Sequence, residues 1–426
     1  MTTMKNLVKT MLMSILTAGT MMSFTACSSD DDLLMTAKGN GTLDINQYAA
    51  VERTVLVYLA GKNNLSESLQ TNLEQMKAGS KHIGNNTLLV FVRRDIQKEQ
   101  PWLARVSNGE LTDSVSLDDM GISTNNMQAC NPELMEQVLQ YAYNHYPAND
   151  YGLVLGGHST GWLIEEEPSN TRAFGVDNGD GYAYSSMNKR WINVPTMARV
   201  LERVPHLKFI FADCCNFMCL ETMYELRNVT DYIIGSPAEI PAEGAPYEQI
   251  MPALFEKNTF CSSIIDIYHR AQNGKVPLSV VKTSAMDQLA SATRNALDIV
   301  QAKNAGGYAD TQGLIHYGYS SSSIQFHQEY NLFYDAGDFF RSQLPESDYQ
   351  QWKQALDGAV VEKRFAKQWR TCMTWRYTYC DFEMTEEKYH GVSMYVPQDP
   401  NTEYGKYYAR NNEDIKQLQW YQSVGW

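Results

Sequence analysis

No C-x-x-C pair meets a second one at zinc spacing anywhere in the 426 residues, and there is no H-E-x-x-H. The common structural and catalytic zinc sites are thereby removed. A D-x-D-x-D-G loop of the kind that cages calcium is also missing. Basic residues are scarce: 35 Lys and Arg stand against 49 Asp and Glu, for a formal charge of −14. That balance excludes nucleic acid as the main partner, because phosphate binding needs Lys and Arg gathered on one face; a cationic ligand suits the sign better. There are neither internal repeats nor low-complexity blocks.

What remains is an ordinary globular composition, 43% hydrophobic and 20% charged, in a chain long enough to bury a large core and to form two or three domains. The 26 Tyr and 8 Trp suit cores and interfaces and point to no ligand by themselves. At the N-terminus, Lys5 and Lys9 precede an apolar stretch from Met11 to Ala26. This is the layout of a secretory signal, too short and too well flanked for a membrane span. The segment "FTAC" resembles a bacterial lipobox, which makes Cys27 the lipidated first residue of the mature chain; a cleaved signal without lipid is the alternative. The "SSDDD" that follows is similar to acidic signals that send lipoproteins to the cell surface, or else is a polar spacer. The expected arrangement is a signal peptide over 1–26 and a lipidated tether over 27–50. The chain is then an outer-membrane lipoprotein exposed at the cell surface, with the periplasmic side as the alternative.

Eight cysteines establish no disulfide framework. Cys372 and Cys380 lie in an alternating, strand-like segment, which holds them roughly 26 Å apart at about 3.3 Å per residue, too far to bond unless the chain turns between them. From Thr54 onward short apolar runs such as "TVLVYL", "LLVFVR", "GLVLGG", "LKFIFADCC" and "YIIGS" alternate with amphipathic stretches. In "LSESLQTNLEQMK" the residues Leu65, Leu69, Leu73 and Met76 share one helical face. This alternation predicts an α/β fold whose largely parallel sheet is covered by helices on both faces. A catalytic domain is expected over 51–300, with a smaller C-terminal α+β region over 301–426 packed on it. Ligands in such sheets gather beyond the C-terminal ends of the strands.

One such end, "YGLVLGGHSTGW", supports two chemistries. Gly157, Ser159 and Gly161 form G-x-S-x-G, the elbow of a serine hydrolase. An elbow must run straight into a long helix, whereas here Trp162 and Pro168 follow. None of His269, His316, His327 and His390 has a recognisable partner context, and no HGGG motif lies upstream. The competing pair is His158, after one strand, and Cys215, after the next. Adjacent parallel strands place them in one crevice, and a thiol before a helix such as "LETMYEL" is a nucleophile when His⁺ or the helix end lowers its pKa. Taken alone, a buried free Cys is also a common apolar filler.

At these residues the chain resembles the clostripain family of cysteine peptidases, relatives of caspases, legumains and gingipains. The resemblance rests on "GGHSTGW" and "ADCCNFMCLETMYEL", supported by "RTVLVYLAGKNNL", "SAMDQL", "YDAGDFF" and "GVSMYVP". It departs from the family pattern at Ser159, Thr160, Cys214 and Asn216. The resemblance implies a caspase-like three-layer sandwich. It also implies an endopeptidase in which Cys215 attacks the scissile carbonyl, His158 protonates the leaving amine, and the backbone N–H groups of Cys215 and Ser159 hold the oxyanion. It implies protein or peptide substrates with Arg or Lys at P1, selected by Asp213 with Glu239 or Glu243. The alternatives are a helix-capping Asp213 and solvated loop acids at the other two positions. Maturation by cleavage between Arg172 and Ala173 is expected, with Lys189 and Arg190 as a second place or an uncut loop as the alternative. No metal or cofactor is required; some relatives need Ca2+, to which Asp177, Asp180 or Glu165 could contribute. The remaining alternative is an inert surface lipoprotein that uses the fold for binding.

Overall fold

The computed structural model describes residues 51–125, 127–164, 174–178, 190–318, 331–370, 379–381, 384–402 and 405–426. They fall within one compact unit, Thr42–Trp426. The signal, Cys27 and the tether lie outside the described residues.

The first half of the chain runs β1 (Arg53–Gly61), α1 (Ser66–Gly79), β2 (Thr87–Arg94), β3 (Trp102–Ser107), β4 (Glu110–Ser116), α2 (Pro132–His145) and β5 (Asp150–Gly157). It continues through β6 (Phe174–Asp177), β7 (Arg190–Ile192), α3 (Val194–Leu201), β8 (Leu207–Asp213), α4 (Leu220–Glu225) and β9 (Thr230–Gly235). The second half adds α5 (Tyr247–Ile250), α6 (Phe260–Ala271), β10 (Leu278–Lys282), α7 (Met286–Lys303), β11 (Tyr334–Asp335), α8 (Ala336–Gln343) and α9 (Glu346–Ala359). It ends with β12 (Val360–Arg364), β13 (Gln368–Arg370), β14 (Tyr379–Asp381), β15 (Ser393–Met394), α10 (Gly405–Asp414) and α11 (Gln419–Val424).

Nine strands form one sheet in the order β12-β10-β9-β8-β5-β1-β2-β3-β4. The middle five, β9, β8, β5, β1 and β2, are parallel. β10 and β12 on one side and β3 and β4 on the other are antiparallel. Burial on both faces explains why the central strands read as continuous apolar runs rather than as alternation. Successive residues feed opposite layers. Tyr58, Leu155 and Ala212 join the core under α2, α3 and α7. Leu59, Val154 and Phe211 join the core under α1, α5 and α6.

Local signals set the helices that brace the site. In α1, Leu69, Leu73 and Met76 are buried on the face their spacing predicts. In α2, Asn131 caps the N-terminus by accepting from the Leu134 N–H, and Pro132 stands at the first turn, where its missing N–H costs nothing. The division placed at residue 300 falls inside α7, and β12 joins the same sheet as β1. The two segments therefore share one sheet.

Candidate active site

β5 and β8 are paired in parallel from Gly152–Phe209 to Gly156–Asp213. His158 and Cys215 are each two residues past that last pair, on neighbouring strands whose spacing is about 4.8 Å. The loops that follow them touch. Gly161 has φ +63, and a Cβ built on it would lie 2.5 Å from the Asn216 carbonyl oxygen and 3.2 Å from the Cys219 sulfur. Only glycine lets the two backbones approach so closely. The Trp162 N–H also reaches the Cys219 sulfur.

His158 is held by main chain and side chain. Its carbonyl accepts from the Gly175 N–H at 2.9 Å. Its ring places Nε2 2.7 Å from Asn64 Oδ1, and Trp191 lies against it with ring centroids 6.2 Å apart. Ser159, by contrast, is buried; its Oγ accepts from the Gly161 N–H at 3.1 Å and bonds to the Cys214 thiol, and its backbone bridges Phe174. Residues 161–164 form a turn and coil with no helix. The elbow reading fails here, because Ser159 staples a loop instead of standing at the top of a strand-to-helix turn.

Burial separates the three neighbouring thiols. Cys214 points into the core and Cys219 is enclosed beside Thr222 Oγ1 at 3.0 Å, whereas Cys215 is part exposed. Asn216 takes up the left-handed conformation, φ 53, that turns the chain after Cys215, and its N–H donates to the Ala238 carbonyl at 3.0 Å. The Ile240 N–H donates to Cys215 Sγ at 3.4 Å. Although the residue retains some exposure, desolvation, then the Glu239 carboxylate and more weakly Asp213, push its thiol up to about 12, against the Ile240 hydrogen bond. The expectation that a helix end lowers this pKa is corrected: α4 begins at Leu220, so Cys219 occupies its N-cap and Cys215 stands a full loop away.

Asp213 does not cap that helix. Its carboxylate faces the other layer and accepts from the Ala245 N–H at 3.0 Å, Tyr247 OH at 2.8 Å and Tyr268 OH at 3.0 Å. Desolvation still raises it above the ordinary carboxylate range. Gly244, φ +64, makes room for it, since a Cβ there would lie 2.6 Å from Asp213 Oδ2. Glu239 is half-buried beside Cys215; Glu243 is exposed, with its carbonyl held by Asn72 Nδ2 at 2.9 Å. Arg172, Ala173 and Lys189, and the side chain of Arg190, lie outside the described residues, as do Glu165 and Asp180. Asp177 does not fit the calcium role. It is buried against Arg93 at 3.4 Å and accepts from the Ala129 N–H at 2.8 Å, and among the described residues no three acids, His or Cys converge as a metal site.

The sequence reading missed Asn64, Trp191 and Glu221. Glu221 lies fully buried at the start of α4 with Oε1 on the Tyr395 N–H at 2.7 Å and the Cys219 thiol beside the carboxyl; against these bonds desolvation pushes it up to about 8. The two asparagines after β1 were the one visible signal for Asn64.

A family model described as the clostripain family matches residues 57–426. Clostripain of Hathewaya histolytica is 27% identical over 142 residues, 30% of this chain, which spans only 27% of that relative's length. A solved secreted C11 cysteine protease from Bacteroides thetaiotaomicron, bound to an irreversible peptide inhibitor, is 28% identical with a TM-score of 0.70. The match covers 88% of this chain and 99% of that one. An inactive zymogen C11 protease from Parabacteroides distasonis matches at 28% identity and TM-score 0.70, over 88% of this chain and 98% of the other.

Proposed function

This chain belongs to the clostripain family, and on that premise we propose that it is a cysteine endopeptidase in which Cys215 and His158 form the catalytic dyad. The observation that carries the reading is the shared register: each residue stands two positions past the Gly156–Asp213 pair, on loops close enough to require Gly161. Cys215 attacks the scissile carbonyl as its proton passes to His158. The N–H groups of Cys215 and Ser159 stabilise the oxyanion, the imidazolium protonates the leaving amine, and water then frees the acyl-enzyme. These steps require no cofactor.

Substrates are peptides or proteins with Arg or Lys at P1. The acids Glu239 and Glu243 recognise the cation, and the buried charge of Asp213 adds to the field. Half-buried Glu239, which acts electrostatically on Cys215, supports this assignment. The chain is processed between Arg172 and Ala173. That bond lies just before Phe174, whose backbone bridges Ser159, so a cut there alters the tension on the His158 loop. In the cell Cys27 carries lipid at the outer membrane. No helix among the described residues is long and apolar enough to cross a membrane.

The raised Cys215 thiol is the observation that favours an inert binding protein instead. Turnover of fluorogenic peptides ending in Arg, Lys or Asp by wild type, Cys215→Ala and Ser159→Ala decides between them. The expected result is cleavage after Arg or Lys that is lost in Cys215→Ala and kept in Ser159→Ala. No cleavage by the wild type, before or after loop processing followed by mass spectrometry, removes the peptidase reading.

A further inference from the structure

The turn after β1, Gly61-Lys62-Asn63-Asn64, takes no part in the chemistry above, yet it is tied down from several directions. Buried Asn63 donates through Nδ2 to the Ala60 carbonyl at 3.0 Å and the Val176 carbonyl at 2.7 Å, while its Oδ1 accepts from the Leu65 N–H at 2.8 Å. The Lys62 carbonyl accepts from the Asn178 N–H at 3.0 Å, and Lys62 Nζ pairs with Asp95 at 3.0 Å. The backbone of Asn64 is therefore fixed between β1 and β6 although its side chain is exposed. From this mount its Oδ1 lies 2.7 Å from His158 Nε2, 94 positions along the chain.

An amide oxygen only accepts, so a bond of this length places the ring proton on Nε2 and leaves Nδ1 as the basic nitrogen of the neutral ring. The His158 main chain is held by Gly175 and its ring is flanked by Trp191, while rotation of the imidazole and its choice of tautomer are left to its side-chain partners. An acceptor at Nε2 limits both. We propose that Asn64 is the positioning residue of the site, fixing His158 in the Nε2–H tautomer so that Nδ1 carries the proton between Cys215 and the leaving group. The inference rests on the dyad reading. In the acylation step the Sγ–H proton moves to Nδ1 as the sulfur–carbon bond forms, and the same proton moves to the amine nitrogen as the carbon–nitrogen bond breaks. In deacylation water gives its hydroxyl to the acyl carbon and its proton to Nδ1, which returns it to Sγ.

The test compares full-length wild type, Asn64→Ala and Asn64→Asp, with a P1-Arg fluorogenic peptide and with ¹⁵N imidazole spectra assigned by His158→Gln. A single exposed hydrogen bond predicts a fall in kcat of roughly 3- to 10-fold in Asn64→Ala with KM unchanged. Asn64→Asp, which keeps an acceptor oxygen, recovers most of the rate. In the spectrum of Asn64→Ala the Nε2–H tautomer falls from near-exclusive to the smaller excess that a solvated neutral imidazole shows, and in that of Asn64→Asp it stays near-exclusive. The proposal is overturned if Asn64→Ala stays within twofold of wild type, if the Ala and Asp variants lose activity equally, or if the tautomer population does not change. A wild type that cleaves no peptide removes the dyad reading, while the tautomer signal still decides the role of Asn64.

Discussion

Replacing Gly161 with Ala tests whether the His158 and Cys215 loops truly meet. Two costs are separable. A non-glycine residue held at φ +63 costs about 1–2 kcal/mol from the left-handed conformation alone. The added methyl would also sit 2.5 Å from the Asn216 carbonyl oxygen and 3.0 Å from the Phe333 ring. A backbone oxygen cannot rotate away as a side chain can, so the overlap adds about 1–3 kcal/mol. Gly84→Ala is the matched control, with φ +62 and nothing within 4 Å of the new Cβ; it carries the first cost without the second. Urea unfolding should place Gly161→Ala about 1–3 kcal/mol below Gly84→Ala. The turnover number should fall further, because relieving the overlap moves one catalytic loop against the other, and a misplacement of about 1 Å costs on the order of 100-fold. Equal stabilities for the two variants, with full activity in Gly161→Ala, would refute the contact and the shared crevice built on it.

Two further outcomes follow from buried charge. The Glu221 carboxyl is pushed up to about 8 from 4.5, so the folded state holds a proton that the unfolded chain gives up. Its stabilising contribution is complete below about pH 4.5 and declines until about pH 8, by roughly 5 kcal/mol at most at about 1.4 kcal/mol per pH unit. Glu221→Gln should flatten the fall in stability over that window in chemical denaturation, and a slope identical to wild type would show that the carboxyl is not desolvated as described. At Cys215, the Glu239 carboxylate raises the thiol pKa, so Glu239→Gln should lower it and speed alkylation by iodoacetamide at neutral pH. An unchanged rate would separate Glu239 from the thiol.

The sheet was legible because a strand buried on both faces must be apolar throughout, and "TVLVYL", "LLVFVR" and "LKFIFAD" admit few other readings. Helix α1 was legible from its spacing, and in α2 Asn131 and Pro132 are the sequence marks of its start. The antiparallel margins were missed. "SNGE" between β3 and β4 carries an Asn-Gly turn, with Asn108 at φ 52 and Gly109 at φ 92, which is the strongest local hairpin signal. The half-exposed β4 pattern that flanks it hid the strand. β12 was missed for a related reason, since "VVEKR" at the sheet edge has an ambiguous charge pattern. The helix expected at "LETMYEL" is present as α4, and it ends after six residues because it is packed on all sides rather than stabilised by its own propensity. His158 and Cys215 could be singled out because strand ends announce themselves. Asn64 could not, since its partner is set by the pairing of β1 with β5.

Asp213 shows most clearly what spacing alone withholds. Its position two residues before Cys215 drew attention to substrate charge, but its donors Ala245, Tyr247 and Tyr268 come from a loop and two helices that follow β9 in the chain. Glycine at 244 is needed because any side chain there would meet that carboxylate. A carboxylate so enclosed acts as a mount: it holds the segment from Ser236 to Tyr247, which in turn carries Glu239, the Ile240 N–H that contacts Cys215, and Glu243. Charge at Asp213 and charge at Glu239 therefore differ in weight. Both act on the thiol, Glu239 more strongly, and Asp213 in addition sets where the loop stands. The proposed preference for basic residues accordingly turns on Glu239 and Glu243, with Asp213 determining whether they are held in place to exert it.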